Sequence, residues 1–168
     1  MVGLLRIDGR LIHGMVAVTW VGTEKPDILA VANTAAANDS FHTMTLKLAK
    51  PAGVDCFVWA IEKAIDRVNG PKYAKKKILM TVATVEDAYE MVKNCPSIKR
   101  VNVGPEVDGT AGRTTEGKKQ ISDGVYINEE KFQLLKELHE SGVEVFAQIT
   151  PAMPYVGWDE IAKNFAQE

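Results

Sequence analysis

The residues best suited to chemistry stand near the amino terminus, where positions 6–14 read RIDGRLIHG. A histidine ring ordinarily titrates near neutrality, so a large fraction of such rings carries an unprotonated, nucleophilic nitrogen. If the ring of His13 received a phosphoryl group, the guanidinium of Arg10, three residues earlier, would offer a planar fork of donors to the new oxygens. This spacing makes His13 a candidate phosphoryl acceptor and Arg10 a candidate clamp for the phosphoryl group.

Three neighbours complete the candidate site. Gly14 and Met15 would open a helix, and the free N–H groups of a first helical turn favour an anion. Two roles are open to Asp8, because its carboxylate could accept a hydrogen bond from the ring of His13 or could hold Arg10 in place. We therefore assign Gly14, Met15 and Asp8 to the phosphate-binding set.

A simpler interpretation of His13 is that it only begins a helix. Its neighbours Leu11 and Ile12 are apolar, and a lone histidine in such a setting is often a loop or helix-start residue without chemistry. Residue types and spacing alone leave both interpretations open.

Nucleotide binding has weaker support, because the glycines of the chain form neither a Walker pattern nor a GxGxxG pattern.

Short apolar runs alternate along the chain with longer helical stretches. The predicted strands cover 4–7, 27–32, 54–59, 78–82, 100–103, 125–127 and 143–149, and the predicted helices cover 15–21, 38–49, 61–68, 84–93, 129–141 and 155–165. Apolar strands that alternate with helices are typical of a parallel sheet covered on both faces. The predicted fold class is therefore α/β, an open, mostly parallel twisted sheet with helices on both faces. Such sheets bind ligands at the carboxyl ends of their strands, where the loop after the first strand lies.

Residues 104–124 form a long polar stretch with five glycines, and the sequence predicts a loop there. A loop of that length in a compact domain is more often functional than idle. Arg113 is a second candidate ligand for a phosphate, and Lys118 and Lys119 would add positive potential.

Composition limits the classes of function. The 168 residues fit a single domain over 1–168, and a formal net charge of −2 gives no general attraction for nucleic acid. Two distant cysteines favour a reducing compartment over a disulfide framework or a zinc site. No apolar run is long enough to cross a membrane. These features predict a cytoplasmic protein without a metal, which would serve a membrane process only by docking.

The stretch 6–14, apart from Gly9, resembles the active-site signature of IIB components of the mannose/fructose/sorbose family of phosphoenolpyruvate-dependent sugar phosphotransferase systems. Further similar stretches follow in order at 16–20, 32–33, 37–39, 48–54, 101–104, 116–122 and 142–145. The resemblance therefore extends over nearly the whole chain, which favours the chemical interpretation of His13.

The resemblance implies a protein-histidine phosphotransferase that uses no cofactor. In that family the IIB component accepts a phosphoryl group from a phosphohistidine on a IIA component and passes it to a sugar imported through the membrane components IIC and IID. The family histidine corresponds to His13, phosphorylated through Nδ1, and the family arginine that contacts the phosphoryl group corresponds to Arg10. The family fold adds an antiparallel edge to the sheet, and the protein would work in the cytoplasm beside its transporter.

The resemblance leaves the sugar and any homo-oligomer open. The site must be shallow, since two partners must reach it, and apolar Leu11, Ile12 and Met15 would belong to the docking surface. The sequence also departs from the family pattern around the expected phosphate pocket. Gly9 stands where the family usually has Asp, Met15 where it has Gln, and Thr34 where it has Asp.

After Gly104 the usual Met-His pair is missing and the loop is longer. These departures leave a second hypothesis open, a divergent regulatory or binding protein with weak transfer activity.

Overall fold

The computed structural model describes residues 1–106 and 115–167 as alternating strands and helices. The elements in chain order are β1 Val2–Ile7, α1 Gly14–Glu24, β2 Ile28–Ala32, α2 Thr34–Ala37, α3 Ser40–Leu48, β3 Asp55–Trp59, α4 Ile61–Asn69, β4 Ile78–Val82, α5 Val85–Asn94, β5 Arg100–Val103, β6 Lys119–Ser122, β7 Val125–Ile127, α6 Glu129–Glu140, β8 Glu144–Ala147 and α7 Trp158–Ala166.

Six strands form one sheet in the order β3-β2-β4-β1-β5-β8, and every pair of neighbours in it is parallel. Antiparallel pairing occurs in a separate two-stranded sheet of β6 and β7. It also occurs in an isolated bridge between Ala147, on the edge strand β8, and Val156. The predicted mostly parallel α/β class is confirmed.

The two faces of the sheet bury separate cores. The larger core takes side chains from α4, α5, α6 and α7, which together cover one face. The smaller core lies on the other face, where Trp20 of α1 and Leu46 of α3 pack with Leu4, Leu29 and Leu79 of the strands. The chain therefore winds in both directions, with α1 and α3 on one face and the later helices on the other.

Polar side chains cap the amino termini of four of the described helices. Asn33, Asp39, Thr84 and Asn128 each accept a hydrogen bond from a backbone N–H group of the first turn that follows. Such caps satisfy donors that the helix itself cannot pair. Thr84 and Asn128 cap the helices predicted over 84–93 and 129–141, and Asp39 caps α3 inside the helix predicted over 38–49.

Several predicted boundaries are wrong for local reasons. Helix α1 was predicted to end at 21 but runs through Gly22 to Glu24. It ends there because Lys25 takes the left-handed conformation (φ 48°), and the N–H of Lys25 donates to the carbonyl of Val21. The short helix α2 was not predicted. Strand β6 lies inside the predicted loop 104–124. It was not predicted because its sequence is polar, and only Ile121 among its residues is buried.

Candidate active site

The candidate loop leaves the carboxyl end of β1, which lies between β4 and β5 in the sheet. Backbone hydrogen bonds hold the loop to both neighbours: Asp8 N donates to Val82 O (2.9 Å) and Gly9 N donates to Pro105 O (2.9 Å). From β1 the chain turns into α1 on one face, whereas from β4 it turns into α5 on the other face. The loop thus occupies a crevice of the kind in which open α/β sheets bind ligands.

Asp8 holds Arg10 by both oxygens of its carboxylate. Nε of Arg10 donates to Oδ1 (3.0 Å), Nη2 donates to Oδ2 (2.9 Å), and the backbone N–H of Arg10 also donates to Oδ1 (3.0 Å). Burial would raise the pKa of Asp8, but the hydrogen bonds from Arg10 and the charge of Arg6 outweigh it and lower that pKa. The carboxylate is therefore ionised at neutral pH and fixes the guanidinium of Arg10.

These contacts decide between the two roles open to Asp8. Its side chain is 1% exposed and bonds to arginines, so its observed role is to orient Arg10. No described contact joins Asp8 to the ring of His13. Since Arg10 keeps 29% of its side chain exposed, it can still reach a ligand while Asp8 holds it.

Arg6 is a member of the site that sequence analysis missed. Nη2 donates to Oδ2 of Asp8 (2.9 Å), and Nη1 donates to Oδ1 of Asn102 and to the carbonyl of Gln148 (3.1 Å). Its guanidinium carbon lies 5.4 Å from the ring centroid of Trp20. The available signal in the sequence was an arginine inside an otherwise apolar strand. An apolar strand is buried in a sheet of this class, and a buried arginine is almost always paired with other polar groups.

Two backbone positions in the loop have positive φ. Leu11 has φ 62° and Gly14 has φ 36°, so the chain turns sharply on either side of Ile12. A leucine in the left-handed region costs roughly 1–2 kcal/mol. The conformation is held because Leu11 N donates to Asp8 O (2.9 Å) and the side chain enters the smaller core.

Leu11 and Ile12 are both buried, so the prediction that they belong to a docking surface is wrong. Their side chains anchor the loop to the smaller core instead. Met15 is 72% exposed, and it alone of the three predicted apolar residues faces solvent.

His13 is exposed and is the residue that precedes α1. Its carbonyl accepts hydrogen bonds from Val16 N (3.0 Å) and Ala17 N (3.3 Å), whereas its ring makes no capping bond. Within the described residues, no acceptor is bonded to the N–H groups of Gly14 and Met15. The ring and a pair of helix-start donors are therefore presented together at the surface.

Two residues at the departures from the family pattern, Thr34 and Glu106 in the stretch after Gly104, accept hydrogen bonds at the starts of helices. Thr34 Oγ1 accepts a hydrogen bond from Ile61 N (3.2 Å) at the start of α4, where Ala60 makes no side-chain cap. Glu106 Oε1 accepts from Val85 N (2.5 Å) at the start of α5, and its Oε2 pairs with Lys131 (2.7 Å). Arg113 and the rest of 107–114 lie outside the described residues.

The family model described as the PTS system sorbose subfamily IIB component matches residues 2–168. The chain belongs to this family. It is therefore a IIB component that functions in sugar phosphotransfer, as the resemblance of stretch 6–14 predicted. The described part of this IIB chain contains no helix that is long and apolar enough to span a membrane.

Relatives of this IIB chain include proteins with different named sugars. It is 32% identical over 153 residues to the N-acetylgalactosamine-specific IIB component 2 of Escherichia coli K12, covering 91% of this chain and 93% of that protein. It is 33% identical over 144 residues to the mannose-specific EIIAB component of Escherichia coli K12, covering 86% of this chain and 43% of that protein.

Among solved structures, the IIB domain of the sorbose permease of Klebsiella pneumoniae superposes with a TM-score of 0.86 at 26% identity, covering 99% of each chain. The N-acetylgalactosamine-specific IIB component 1 of Escherichia coli superposes with a TM-score of 0.82 at 30% identity, covering 94% of this chain and 99% of that one.

Proposed function

We propose that His13 carries the phosphoryl group, which it accepts from a phosphohistidine of a IIA component and passes to a sugar at the IIC and IID membrane components. The observation that carries the proposal is the exposed ring of His13 at the start of α1, in the same short loop as an arginine that Asp8 holds by two oxygens. Both partners must reach the same ring, and its exposure allows that.

In the first transfer, a ring nitrogen of His13 attacks phosphorus while the bond from phosphorus to the donor histidine breaks. By the family resemblance that nitrogen is Nδ1. The charge balances when the ring of His13 gives up its remaining N–H proton and the donor ring takes one up. In the second transfer, a sugar hydroxyl attacks phosphorus, the P–N bond breaks, and the hydroxyl proton passes to the ring of His13.

The surroundings of His13 would stabilise the transferring group electrostatically. Transfer of this kind depends on positioning and on charge stabilisation more than on acid–base catalysis. Arg6 and Arg10 carry two positive charges against the single negative charge of Asp8, so this cluster keeps a net positive charge. The N–H groups of Gly14 and Met15 would bind phosphoryl oxygens, and Asp8 would act only by holding Arg10.

The test is phosphorylation of the purified chain by phosphorylated IIA. The chain has three histidines, so His13→Ala can be compared with the matched control His42→Ala, which changes an exposed histidine on α3. We expect wild type and His42→Ala to take up one acid-labile phosphoryl group and His13→Ala to take up none. Equal labelling of both variants would exclude His13 as the carrier.

A second test removes the guanidinium of Arg10 and measures the rate of labelling by phosphorylated IIA. We expect Arg10→Gln to slow labelling by about 10²–10³-fold, the usual loss for a donor that stabilises a developing oxyanion. If transfer is slow in the wild type and rises when Asp and Gln are introduced at positions 9 and 15, the regulatory alternative gains support instead.

A further inference from the structure

The helices on the two faces of the sheet differ in charge. Helices α1 and α3 together contain only two charged residues, Glu24 and Lys47, and Glu24 is buried against Arg100 and Lys77. The helices of the opposite face are far more polar; α4 alone contains Glu62, Lys63, Asp66 and Arg67. A charge-poor helical surface is typical of the buried part of a protein–protein interface.

Apolar side chains occupy the solvent side of the charge-poor helices. The exposed fractions are 72% for Met15 and 42% for Val18 on α1, and 72% for Phe41, 52% for Met44 and 80% for Leu48 on α3. Of the exposed large hydrophobic side chains in the described part of the chain, only Met1 and Tyr155 lie elsewhere. Met15 and Val18 are three residues apart, and Phe41, Met44 and Leu48 are three and four apart, so each helix presents these side chains on one face. Both helices pack on the same core of the sheet. Grouped exposure of this kind marks an interaction surface, whereas single exposed apolar residues need no explanation.

This apolar surface begins at the end of the sheet that carries His13. Helix α1 starts directly after His13, and α3 follows β2 through the short helix α2, so both helices start at the carboxyl edge of the parallel strands. Met15 and Phe41 are each the second residue of their helix. Leu48 is seven residues farther along α3 than Phe41, which corresponds to about 10 Å at the rise of an α-helix.

We propose that the apolar surface formed by Met15, Val18, Phe41, Met44 and Leu48 is the docking surface for the IIA phosphoryl donor. This inference rests on the proposed function of His13. A donor that seats on α1 and α3 covers the start of α1 and brings its own phosphohistidine to the ring of His13.

A shallow depression on α3 supports a protein as the occupant. It has a volume of about 530 Å³, it is mainly apolar, and Ala37, Thr43, Met44 and Leu48 line it together with Lys47. Such a depression fits an apolar side chain of the partner, and Lys47 and the exposed Lys50 favour acidic residues beside that side chain.

Charge argues against three other occupants of this surface: the membrane transporter, a second copy of this chain and a lipid membrane. Cytoplasmic loops of membrane proteins carry an excess of Lys and Arg, which Lys47 and Lys50 would repel, so the transporter fits this surface poorly. If a second copy of the chain covered this surface with its own, the lysines of one copy would face the lysines of the other and repel them. Two lysines are worth about 1 kcal/mol each at an anionic membrane, which does not hold a protein of this size on lipid.

The experiment compares a protein donor with a small chemical donor. The variant Phe41→Ser/Leu48→Ser changes only the α3 part of the surface and leaves the loop of His13 intact, and Lys63→Ser on α4 is the matched control for a surface substitution on the opposite face. Labelling by phosphorylated IIA is followed over a range of donor concentrations. Labelling by phosphoramidate, which needs no docking surface, is followed in parallel.

We expect the double variant to raise the KM for phosphorylated IIA on the order of tenfold and to leave the plateau rate within about twofold. Phosphoramidate labelling and the circular dichroism spectrum should match the control. A KM equal to that of the control would overturn the docking proposal. So would a normal KM with a defect only in delivery to the transporter, or a loss of binding to anionic vesicles alone. Failure of His13 to label in the wild type would instead remove the proposed function.

Discussion

Substitution of Asp8 by Asn removes one charge from the buried cluster without changing the shape of the side chain. In the wild type the carboxylate accepts hydrogen bonds from Arg6 Nη2 and from Nε, Nη2 and the backbone N–H of Arg10. An Asn keeps one acceptor oxygen and turns its NH2 group toward guanidinium donors. The two arginines would then have no negative partner in the cluster.

The cost comes mainly from Arg6. Its side chain is only 3% exposed, whereas that of Arg10 is 29% exposed and can turn into water. Removal of one partner of a buried pair costs about 3–5 kcal/mol. Because Arg6 keeps its bonds to Asn102 and Gln148, we expect the lower end, about 3 kcal/mol. In a domain of this size that corresponds to a fall in melting temperature of roughly 6–12 °C.

The loss should depend on pH in one direction. The pKa of Asp8 is lower in the folded chain than in the unfolded chain, so its stabilising contribution is complete above the ordinary aspartate pKa of about 4. It disappears as the pH falls through the lower, folded pKa. The difference in unfolding free energy between wild type and Asp8→Asn should therefore be constant from pH 7 to pH 5 and shrink near pH 3.

Urea unfolding at these three pH values measures the difference. Asp66→Asn on the exposed side of α4 is the matched control, and we expect it to stay within about 0.5 kcal/mol of wild type. A loss below about 1 kcal/mol for Asp8→Asn at pH 7, or a difference that grows toward acid pH, would refute the reasoning from Arg6.

Three further predictions concern other parts of the fold. Thr34→Ala should lower stability by about 1 kcal/mol and Thr34→Ser should not, because the hydroxyl caps Ile61 N at the start of α4; urea unfolding compares them. Gly104→Ala should cost about 1–3 kcal/mol, since its Cβ would lie 2.5 Å from the carbonyl oxygen of Ile7; an unchanged melting temperature would contradict this. Burial raises the pKa of Cys95 to about 11, so alkylation at pH 8 should require unfolding; rapid labelling of the folded chain would show an accessible thiol.

The order of the strands along the chain and the α/β class could be predicted from the sequence. Five-residue apolar runs such as Ile28–Ala32 and Ile78–Val82 are buried on both faces of the sheet, and such runs are readable without a structure. Strand β6 could not be predicted, because its polar residues lie at the edge of a two-stranded sheet and only Ile121 is buried. A strand that is stabilised by one buried side chain leaves almost no periodic signal.

The sequence by itself determined the residues of the candidate loop, since the RIDGRLIHG stretch contains His13 and Arg10 and the resemblance supplies the chemistry that is proposed for them. Only the tertiary structure decided what the neighbours do. Asp8 bonds to Arg6 and Arg10, Leu11 and Ile12 enter the core, and Met15 stays in solvent. The physical reason is that composition specifies which groups can carry charge or avoid water, whereas burial and pairing depend on residues brought together from distant strands. Asn102 and Gln148 reach Arg6 only because β5 and β8 complete the sheet beside β1.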